Sequence, residues 1–170
     1  MRSPRKPFFA LTAEELMSRN VIAIPQEMPL TAAARVLSRA QITGAPVVDA
    51  DGACVGVVSA TDFLRLANPD AHGTPASCAA PPCVCSEWQL PELHQLPVDE
   101  VRRYMTPDPV TVRPGTPVGE LARLMLDAHI HRVIVVDAKA RPVGVVSSTD
   151  LIAAVAQAEP SEAPLVGSAH

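Results

Sequence analysis

The sequence predicts an α/β fold made of two tandem repeats that pack against each other. Shifted by 88 residues, the 170-residue chain aligns with itself without a gap, and 11 of the 16 pairs between 47–62 and 135–150 are identical. Each repeat alternates amphipathic stretches of helical period with short apolar runs typical of strands. A repeat of about 55 residues is marginally stable alone, so we expect the two copies to pack together.

The first repeat has the order helix, strand, helix, strand, strand, helix. Thr12 begins a capping box, and Pro29 suits the start of an amphipathic helix. The turn residues 49–52 separate two apolar runs and predict a hairpin, and Ser59 or Thr61 is the candidate N-cap of the last helix. In chain order, the predicted elements are a helix from Thr12, a strand at 21–24, a helix from Pro29, strands at 45–48 and 54–58, and a helix at 59–66.

The second repeat has the same order of elements. They are predicted as helix 98–105, strand 110–112, helix 117–128, strands 132–136 and 142–146, and helix 150–156. The remaining residues lack this periodicity. The predicted domain organisation is a mobile N terminus at 1–10, the first repeat at 11–67, a Pro- and Cys-rich linker at 68–97, the second repeat at 98–157 and a mobile tail at 158–170.

Composition excludes several classes of protein. Hydrophobic residues make up 48% and charged residues 19% of the chain, which excludes a wholly disordered protein, and the net charge of −4 argues against a nucleic-acid binder. No run of about 18 apolar residues predicts a membrane span, and the basic start lacks the apolar stretch of a secretory signal. We therefore expect a soluble, cytoplasmic protein. It is not expected to be an enzyme, because no activated nucleophile and no Gly-x4-Gly-Lys phosphate loop is present.

Both repeats contain the stretch Gly-Val-Val-Ser-x-Thr-Asp, where a strand passes into a helix. A helix N-terminus attracts phosphate through its free N–H groups and its dipole, and Ser59 and Ser147 can add a hydroxyl donor. Asp62 and Asp150 can accept the two hydroxyl groups of a ribose, and the glycine allows backbone or a ligand to approach closely. The same Ser and Asp residues are also ordinary helix caps, so both interpretations are open.

Together the repeats resemble a tandem pair of cystathionine β-synthase (CBS) domains, also called a Bateman module. The resemblance covers about residues 12–67 and 98–157. It rests on motifs present in both copies, namely Met17-Ser and Met105-Thr, Pro29 and Pro117, the runs 46–49 and 133–137, and the closing Ser-x-x-Asp. It implies a pseudo-twofold pair of repeats whose clefts bind adenosine compounds: AMP, ADP, ATP, S-adenosylmethionine or NAD.

The resemblance also implies roles for particular residues. Asp62 and Asp150 would hold ribose hydroxyls, and Ser59 and Ser147 would face the phosphate. Thr61 and Thr149 belong to the same expected nucleotide-binding set. Adenine would lie in an apolar slot made by Ile22, Ala23, Ala45, Pro46, Val110, Thr111, Val133 and Ile134.

His131-Arg132 is the clearest difference between the copies. It resembles the His-Arg pair that reaches nucleotide phosphates in the γ subunits of AMP-activated kinase, and a guanidinium group suits phosphate oxygens. The aligned Thr43-Gly44 carries no charge, so we expect Asp150 to matter more than Asp62 for binding. Two alternatives stay open: Arg132 serves a ligand held by Asp62, or the pair only occupies a helix end and a strand end.

The cysteines suggest a weaker alternative. Cys78, Cys83 and Cys85 crowd the predicted linker but lack the Cys-x2-Cys spacing of common zinc sites, so free thiols in a linker are the simpler interpretation and a metal or redox site is the alternative. His129-x-His131 lacks further ligands beside it. The remaining cysteine, Cys54, is expected to behave as a small core residue.

The sequence therefore favours a stand-alone regulatory module that binds an adenine nucleotide and passes a conformational change to an effector protein. A ligand-free dimerisation module and a metal- or redox-responsive protein are the alternatives. Helices 117–128 and 148–156 are apolar over more of their surface than a small repeat can bury, which predicts a closed homodimer. The residues expected in both the core and the dimer surface are Leu121, Leu124, Met125, Leu151, Ile152 and Val155.

Overall fold

The computed structural model describes residues 6–67 and 96–158. The first repeat contains helix α1 (Ala13–Leu16), strand β1 (Ile24–Pro25), helix α2 (Leu30–Ala40), strands β2 (Gly44–Val48) and β3 (Cys54–Ser59), and helix α3 (Ala60–Ala67). The second contains strands β4 (Thr106–Pro107) and β5 (Thr111–Val112), helix α4 (Val118–Asp127), strands β6 (Arg132–Val136) and β7 (Pro142–Ser147), and helix α5 (Ser148–Gln157). The mixed α/β order predicted from the sequence is confirmed, and the predictions for 1–5, 68–95 and 159–170 lie outside the described residues.

An aspartate carboxylate stabilises the turn of each of the two hairpins by accepting backbone hydrogen bonds. Between β2 and β3, one carboxylate oxygen of Asp49 accepts the N–H groups of Asp51 and Ala53, both at 2.9 Å. Asp137 makes the equivalent turn between β6 and β7, and the N–H group of Arg141 is the main cause that lowers the pKa of its carboxyl. The predicted hairpins therefore follow from side-chain hydrogen bonds within five residues of chain.

Two small sheets hold the repeats together, and the pairing between repeats is reciprocal. The first sheet has the order β1-β2-β3-β4, in which β4 comes from the second repeat and pairs Thr106 with Val57 of β3. The second sheet has the order β5-β6-β7, and a bridge joins Ser18 of the first repeat to Val145 of β7. These two pairings are related by the same 88-residue shift, as pseudo-twofold symmetry requires.

The leading segments of the two repeats, residues 11–18 and 99–106, pack on the opposite repeat. The carbonyl of Leu11 accepts the first N–H of α4 at 3.0 Å, and the carbonyl of Asp99 accepts the first N–H of α2 at 2.9 Å. Each of these helices therefore has one of its unpaired N-terminal donors satisfied by the other half of the chain.

The hydrophobic core forms two clusters. Ala13 of the first leading segment is fully buried in the second cluster, and Val101 of the second leading segment is fully buried in the first. Leu96, which the sequence assigns to the linker, is also buried in the first cluster. Each cluster thus contains residues from both halves of the chain, which explains why neither repeat has a complete core alone.

Two predicted elements are much shorter in the structure than the sequence predicts, and one further turn was not predicted. The strand predicted at 21–24 is confined to Ile24–Pro25, because only these residues pair with β2. The helix predicted at 98–105 is a single 3-10 turn, Val101–Arg103, because its first two N–H groups bond to the loop before α2. Phe8–Ala10, in the segment predicted to be mobile, forms another 3-10 turn that contacts α4.

Gly56 and Gly144 are required by the methionines of the leading segments. A Cβ atom at Gly144 would lie 2.7 Å from Cγ of Met17, and one at Gly56 would lie 3.0 Å from Cγ of Met105. Carbon atoms in contact normally lie about 3.5–4.0 Å apart, so each methionine fills the space that a side chain would need. The close approach that the sequence predicts is therefore made by a side chain of the opposite repeat.

We expect Gly144→Ala to lower the free energy of unfolding by about 1–3 kcal/mol, because the new methyl group displaces Met17 from its packing position. Chemical denaturation measures this change. Gly119→Ala in α4 is the matched control: an added Cβ there meets nothing within 4 Å, and alanine favours the helix by up to about 1 kcal/mol. In a protein that already carries Met17→Ala, Gly144→Ala should lower the free energy of unfolding by a smaller amount. If Gly144→Ala were as stable as the wild type, this contact would not hold the repeats together.

Candidate functional site

A cleft of about 1060 Å³ opens between the two repeats. Its walls are the starts of β2 and β6, the ends of β3 and β7, and the first turns of α3 and α5. Eleven of the sixteen residues expected at a nucleotide line this cleft: Ala45, Pro46, Ser59, Thr61, Asp62, Val110, His131, Arg132, Ile134, Ser147 and Thr149. The fold therefore brings polar residues from both halves of the chain to one cavity.

Five of the expected residues lie outside the cleft lining: Ile22, Ala23, Thr111, Val133 and Asp150. Val133 is fully buried in the second core cluster, because side chains alternate along a strand and its neighbours Arg132 and Ile134 face the cleft. Asp150 is half-buried and bonded to Ser147 of the cleft wall. Asp150 is therefore bonded to a residue of the cleft lining without being part of that lining.

The Ser-x-x-Asp groups cap α3 and α5. Asp62 Oδ2 accepts both the N–H and the hydroxyl of Ser59, each at 2.8 Å. Asp150 Oδ2 accepts the N–H and the hydroxyl of Ser147 at 2.7 and 2.6 Å, and the N–H of Asp150 donates back to that hydroxyl at 3.3 Å. Ser59, rather than the other candidate Thr61, directly precedes α3. The caps hold both carboxylates in one orientation and leave the Oδ1 atoms outside these bonds.

The first backbone donors of α3 and α5 are used within the protein. The N–H of Ala60 donates to the carbonyl of Thr43 at 2.8 Å, and the N–H of Ser148 donates to the carbonyl of His131 at 2.9 Å. The N–H groups of the preceding serines are held by the carboxylates. The helix starts therefore offer a phosphate fewer donors than the sequence predicts, so side chains must supply most of the anion binding in the cleft.

Arg132 reaches across the cleft. Its guanidinium Nη1 donates a hydrogen bond to the hydroxyl of Thr43 in the first repeat. Gly44, the next residue, pairs with Ser59 in the β2–β3 ladder. The guanidinium of Arg132 thus lies beside the helix cap that contains Asp62.

Three further residues with ionisable side chains line the cleft, Arg65, Asp108 and His129, and the sequence pattern does not assign them to a nucleotide. Arg65 follows Asp62 by three positions in α3, and residues at that spacing share a helix face. This spacing was a usable signal, but the sequence does not show that this face meets the cleft. Because the counterpart of Arg65 at position 153 is alanine, each repeat adds one arginine to the cleft from a different element.

Cys54 is half-buried, and burial raises the pKa of its thiol, which fits an unreactive packing residue. Cys78, Cys83 and Cys85 lie outside the described residues. Within residues 6–67 and 96–158, no group of His, Cys, Asp and Glu side chains is arranged to hold a metal ion. None of the helices in this described part of the chain has the length and apolar character needed to cross a membrane.

Comparison with known proteins agrees with this architecture. The family model of the CBS domain matches residues 13–68 and 98–157. The chain belongs to the CBS domain family. It is 32% identical over 139 residues to a CBS domain-containing protein of Dictyostelium discoideum, covering 82% of this chain and 87% of that protein. It is 30% identical over 144 residues to the chloroplastic CBS domain-containing protein CBSX2 of Arabidopsis thaliana, covering 82% of this chain and 60% of CBSX2.

Solved structures of CBS proteins share the fold. CBSX2 in complex with AMP has a TM-score of 0.65 and 26% identity, covering 86% of this chain and 96% of that one. The CBS domain pair of protein MJ0100, in complex with 5′-methylthioadenosine and S-adenosyl-L-methionine, has a TM-score of 0.66 and 21% identity, covering 86% and 97%; this likeness shows the fold alone. The tandem pair of CBS repeats expected from the sequence is confirmed.

Proposed function

We propose that this CBS protein is a regulatory module that binds a nucleotide of the AMP, ADP or ATP class between its repeats and signals by a change of conformation. The observation that carries the proposal is one cavity of about 1060 Å³ whose lining comes from both repeats. The cavity offers acceptors for a ribose, cations for a phosphate and apolar surface for a base. CBSX2, a similar protein solved with AMP, supports this ligand class.

Three kinds of surface match the three parts of a nucleotide. The free oxygen of Asp62 suits ribose hydroxyls, since its other oxygen caps α3. Arg132 and Arg65 carry guanidinium groups, which pair well with phosphate oxygens. Pro46 and Ile134 offer apolar surface for adenine.

The first-repeat half of the cleft is the stronger nucleotide site in this proposal. The sequence pattern favours the second repeat, because the loop before β2 carries no charge. However, Arg132 bonds to Thr43 in that loop, and Arg65 shares a helix face with Asp62. Two cations therefore support the first-repeat half, while Asp150 lies outside the cleft lining.

A ligand in this cleft contacts both repeats and so can couple its binding to their arrangement. A phosphate that takes the guanidinium of Arg132 replaces its hydrogen bond to Thr43. A nucleotide with higher affinity for one arrangement of the repeats shifts the population towards it. An effector protein that binds only that arrangement then reads the signal.

Other expectations from the sequence stay predictions. They are the absence of enzymatic activity, a cytoplasmic location and an effector protein as partner. S-adenosylmethionine and NAD stay the alternative ligands. A ligand-free dimerisation module and a metal or redox role for the three linker cysteines stay the alternative functions.

We further propose that the protein forms a homodimer through α4 and α5. These helices carry large apolar residues that are mostly exposed to solvent: Leu126 is 74% exposed, Ile152 68% and Val155 55%. Leu121 and Met125 are buried in the core, so they do not contribute to this surface. Ile152 and Val155 lie three positions apart and share one face of α5. An exposed apolar face is typical of an interaction site, and twofold dimers are the commonest closed assembly.

A thermal-shift panel tests the ligand proposal, with adenosine, AMP, ADP, ATP, S-adenosylmethionine and NAD as probes. A ligand at 100 times its Kd stabilises the folded state by about 2.7 kcal/mol, so we expect a nucleotide of the AMP class to raise the Tm. In titration calorimetry, Asp62→Asn should weaken this binding about ten- to a hundredfold, because it loses hydrogen bonds to a charged acceptor. Asp150→Asn is the matched control and should weaken nucleotide binding by a smaller factor.

Three outcomes contradict these expectations. If no probe raises the Tm, the nucleotide proposal is wrong. If only S-adenosylmethionine or NAD does so, the ligand class is wrong. A larger loss in Asp150→Asn than in Asp62→Asn would return the main site to the second repeat.

The two arginines of the cleft give a second prediction. Arg65→Ala and Arg132→Ala should each weaken the binding of ATP and of AMP by about tenfold or more. The affinity for adenosine should change little, because adenosine has no phosphate for the arginines to bind. Arg35→Ala is the control, since Arg35 is exposed on α2 and is not part of the cleft lining. Equal losses for adenosine and ATP, measured by calorimetry, would mean that the arginines only stabilise the fold.

Light scattering tests the dimer. Ile152→Lys combined with Val155→Lys should halve the measured mass at micromolar concentration, because two charges then enter the apolar patch. Val98→Lys is the control and should leave the mass unchanged, because the side chain of Val98 is fully exposed and lies outside α4 and α5. A wild-type protein that is already monomeric at this concentration would rule the dimer out.

A further inference from the structure

Asp108 places a carboxylate in the cleft that the proposed nucleotide contacts do not use. It follows β4, whose Pro107 pairs with Gly56 of the first repeat, so the contact between the repeats fixes the start of this loop. Asp108 is exposed and lines the cavity. Within residues 6–67 and 96–158, its side chain takes part in no hydrogen bond or ion pair. No basic group in these residues therefore pairs with its negative charge.

The backbone conformation at Asp108 does not explain why this residue is charged. Its φ angle is 51°, in the left-handed region where aspartate and asparagine are both enriched. Asparagine would therefore tolerate this conformation as well as aspartate does. The aligned residue of the first repeat is Asn20, which is not part of the cleft lining. The carboxylate is thus a feature that only one of the two equivalent loops brings to the cavity.

The arginines of the cleft are matched in number by aspartates. Apart from two histidines, the ionisable residues of the lining are two arginines and two aspartates, whose formal charges cancel. These four residues are Asp62, Arg65, Asp108 and Arg132. A phosphate monoester such as AMP carries a charge of about −1.5 to −2, and each further phosphate of ADP and ATP adds about one negative charge. The lining has no additional arginine to balance these further phosphates.

The charge of Asp108 acts on a ligand anywhere in the cavity at low salt. The Debye length is about 30 Å at 0.01 M ionic strength, which exceeds the dimensions of a cavity of about 1060 Å³. The Coulomb energy is proportional to the product of the two charges. The repulsion between Asp108 and the ligand is therefore stronger for ATP than for AMP.

We infer that Asp108 is a specificity-determining residue that limits the negative charge of the ligand, so that the cleft prefers AMP to ATP in the absence of a divalent cation. This inference rests on the proposed function, because it assumes that a phosphorylated ligand binds in the cleft. It narrows the proposed ligand class to the monophosphate.

Titration calorimetry at low ionic strength, in a buffer with EDTA, compares adenosine, AMP and ATP. The wild type should bind AMP more tightly than ATP. Asp108→Asn removes the charge and keeps a residue that tolerates the left-handed backbone. This substitution should strengthen the binding of ATP about three- to tenfold and that of AMP by a smaller factor, and should leave the affinity for adenosine unchanged. The gain for ATP should disappear at 1 M salt, where the Debye length is about 3 Å.

Asp51→Asn is the matched control, because it makes the same change in net charge at an exposed residue outside the cleft lining. Asp51 lies in the turn between β2 and β3, at the opposite end of this hairpin from Gly44 and Ser59, which line the cleft. The affinity of Asp51→Asn for ATP should stay close to that of the wild type.

Four results would overturn the inference. They are tighter binding of ATP than of AMP by the wild type, an unchanged ATP affinity in Asp108→Asn, an equal gain for ATP in Asp51→Asn, and a loss of adenosine affinity in Asp108→Asn. The last result would make the carboxylate a direct ligand contact. If no nucleotide binds to any form, the proposed function fails, and inorganic triphosphate tests the inference separately. Asp108→Asn should then bind triphosphate about three- to tenfold more tightly than the wild type, and the absence of such a gain would overturn the inference.

Discussion

Met17 lies against Gly144, and Met105 lies against Gly56, so that each repeat receives a side chain from the other at a strand that has no room for its own. The hydrogen bonds of the leading segments to the starts of α2 and α4 accompany these contacts. Neither core cluster is complete without them. Separating the repeats would therefore expose apolar surface in both clusters and remove backbone hydrogen bonds from both, which makes the pair one cooperative unit.

This exchange also sets the position of the cleft. The strands β3 and β7, which accept the leading segments, end at the two Ser-x-x-Asp caps, and the cavity lies between those ends. The duplication makes the two walls alike in backbone but unlike in charge. Arg65 comes from a helix of the first repeat, and Arg132 comes from a strand of the second. The cavity is therefore asymmetric in charge, although the backbone around it is nearly symmetric.

In the proposed function, the helix caps and the ligand use the same side chains. Ser59 and Ser147 satisfy helix-start chemistry by bonding to the aspartates, and the same bonds orient the carboxylates. The two interpretations of the Ser-x-x-Asp motif are therefore compatible, because a carboxylate has more acceptor positions than a cap uses. An aspartate that is already ordered loses little conformational freedom when a ligand binds.

The sequence by itself determined the features that depend on nearby residues or on the duplication. These are the order of elements, the capping box at Thr12, the hairpins at Asp49 and Asp137, and the family. It misjudged the segment 98–105, because the backbone N–H groups there bond to the first repeat. Only the tertiary structure decided which side chains share the cleft, since the Arg132–Thr43 bond joins residues 89 positions apart and no local periodicity encodes such a contact.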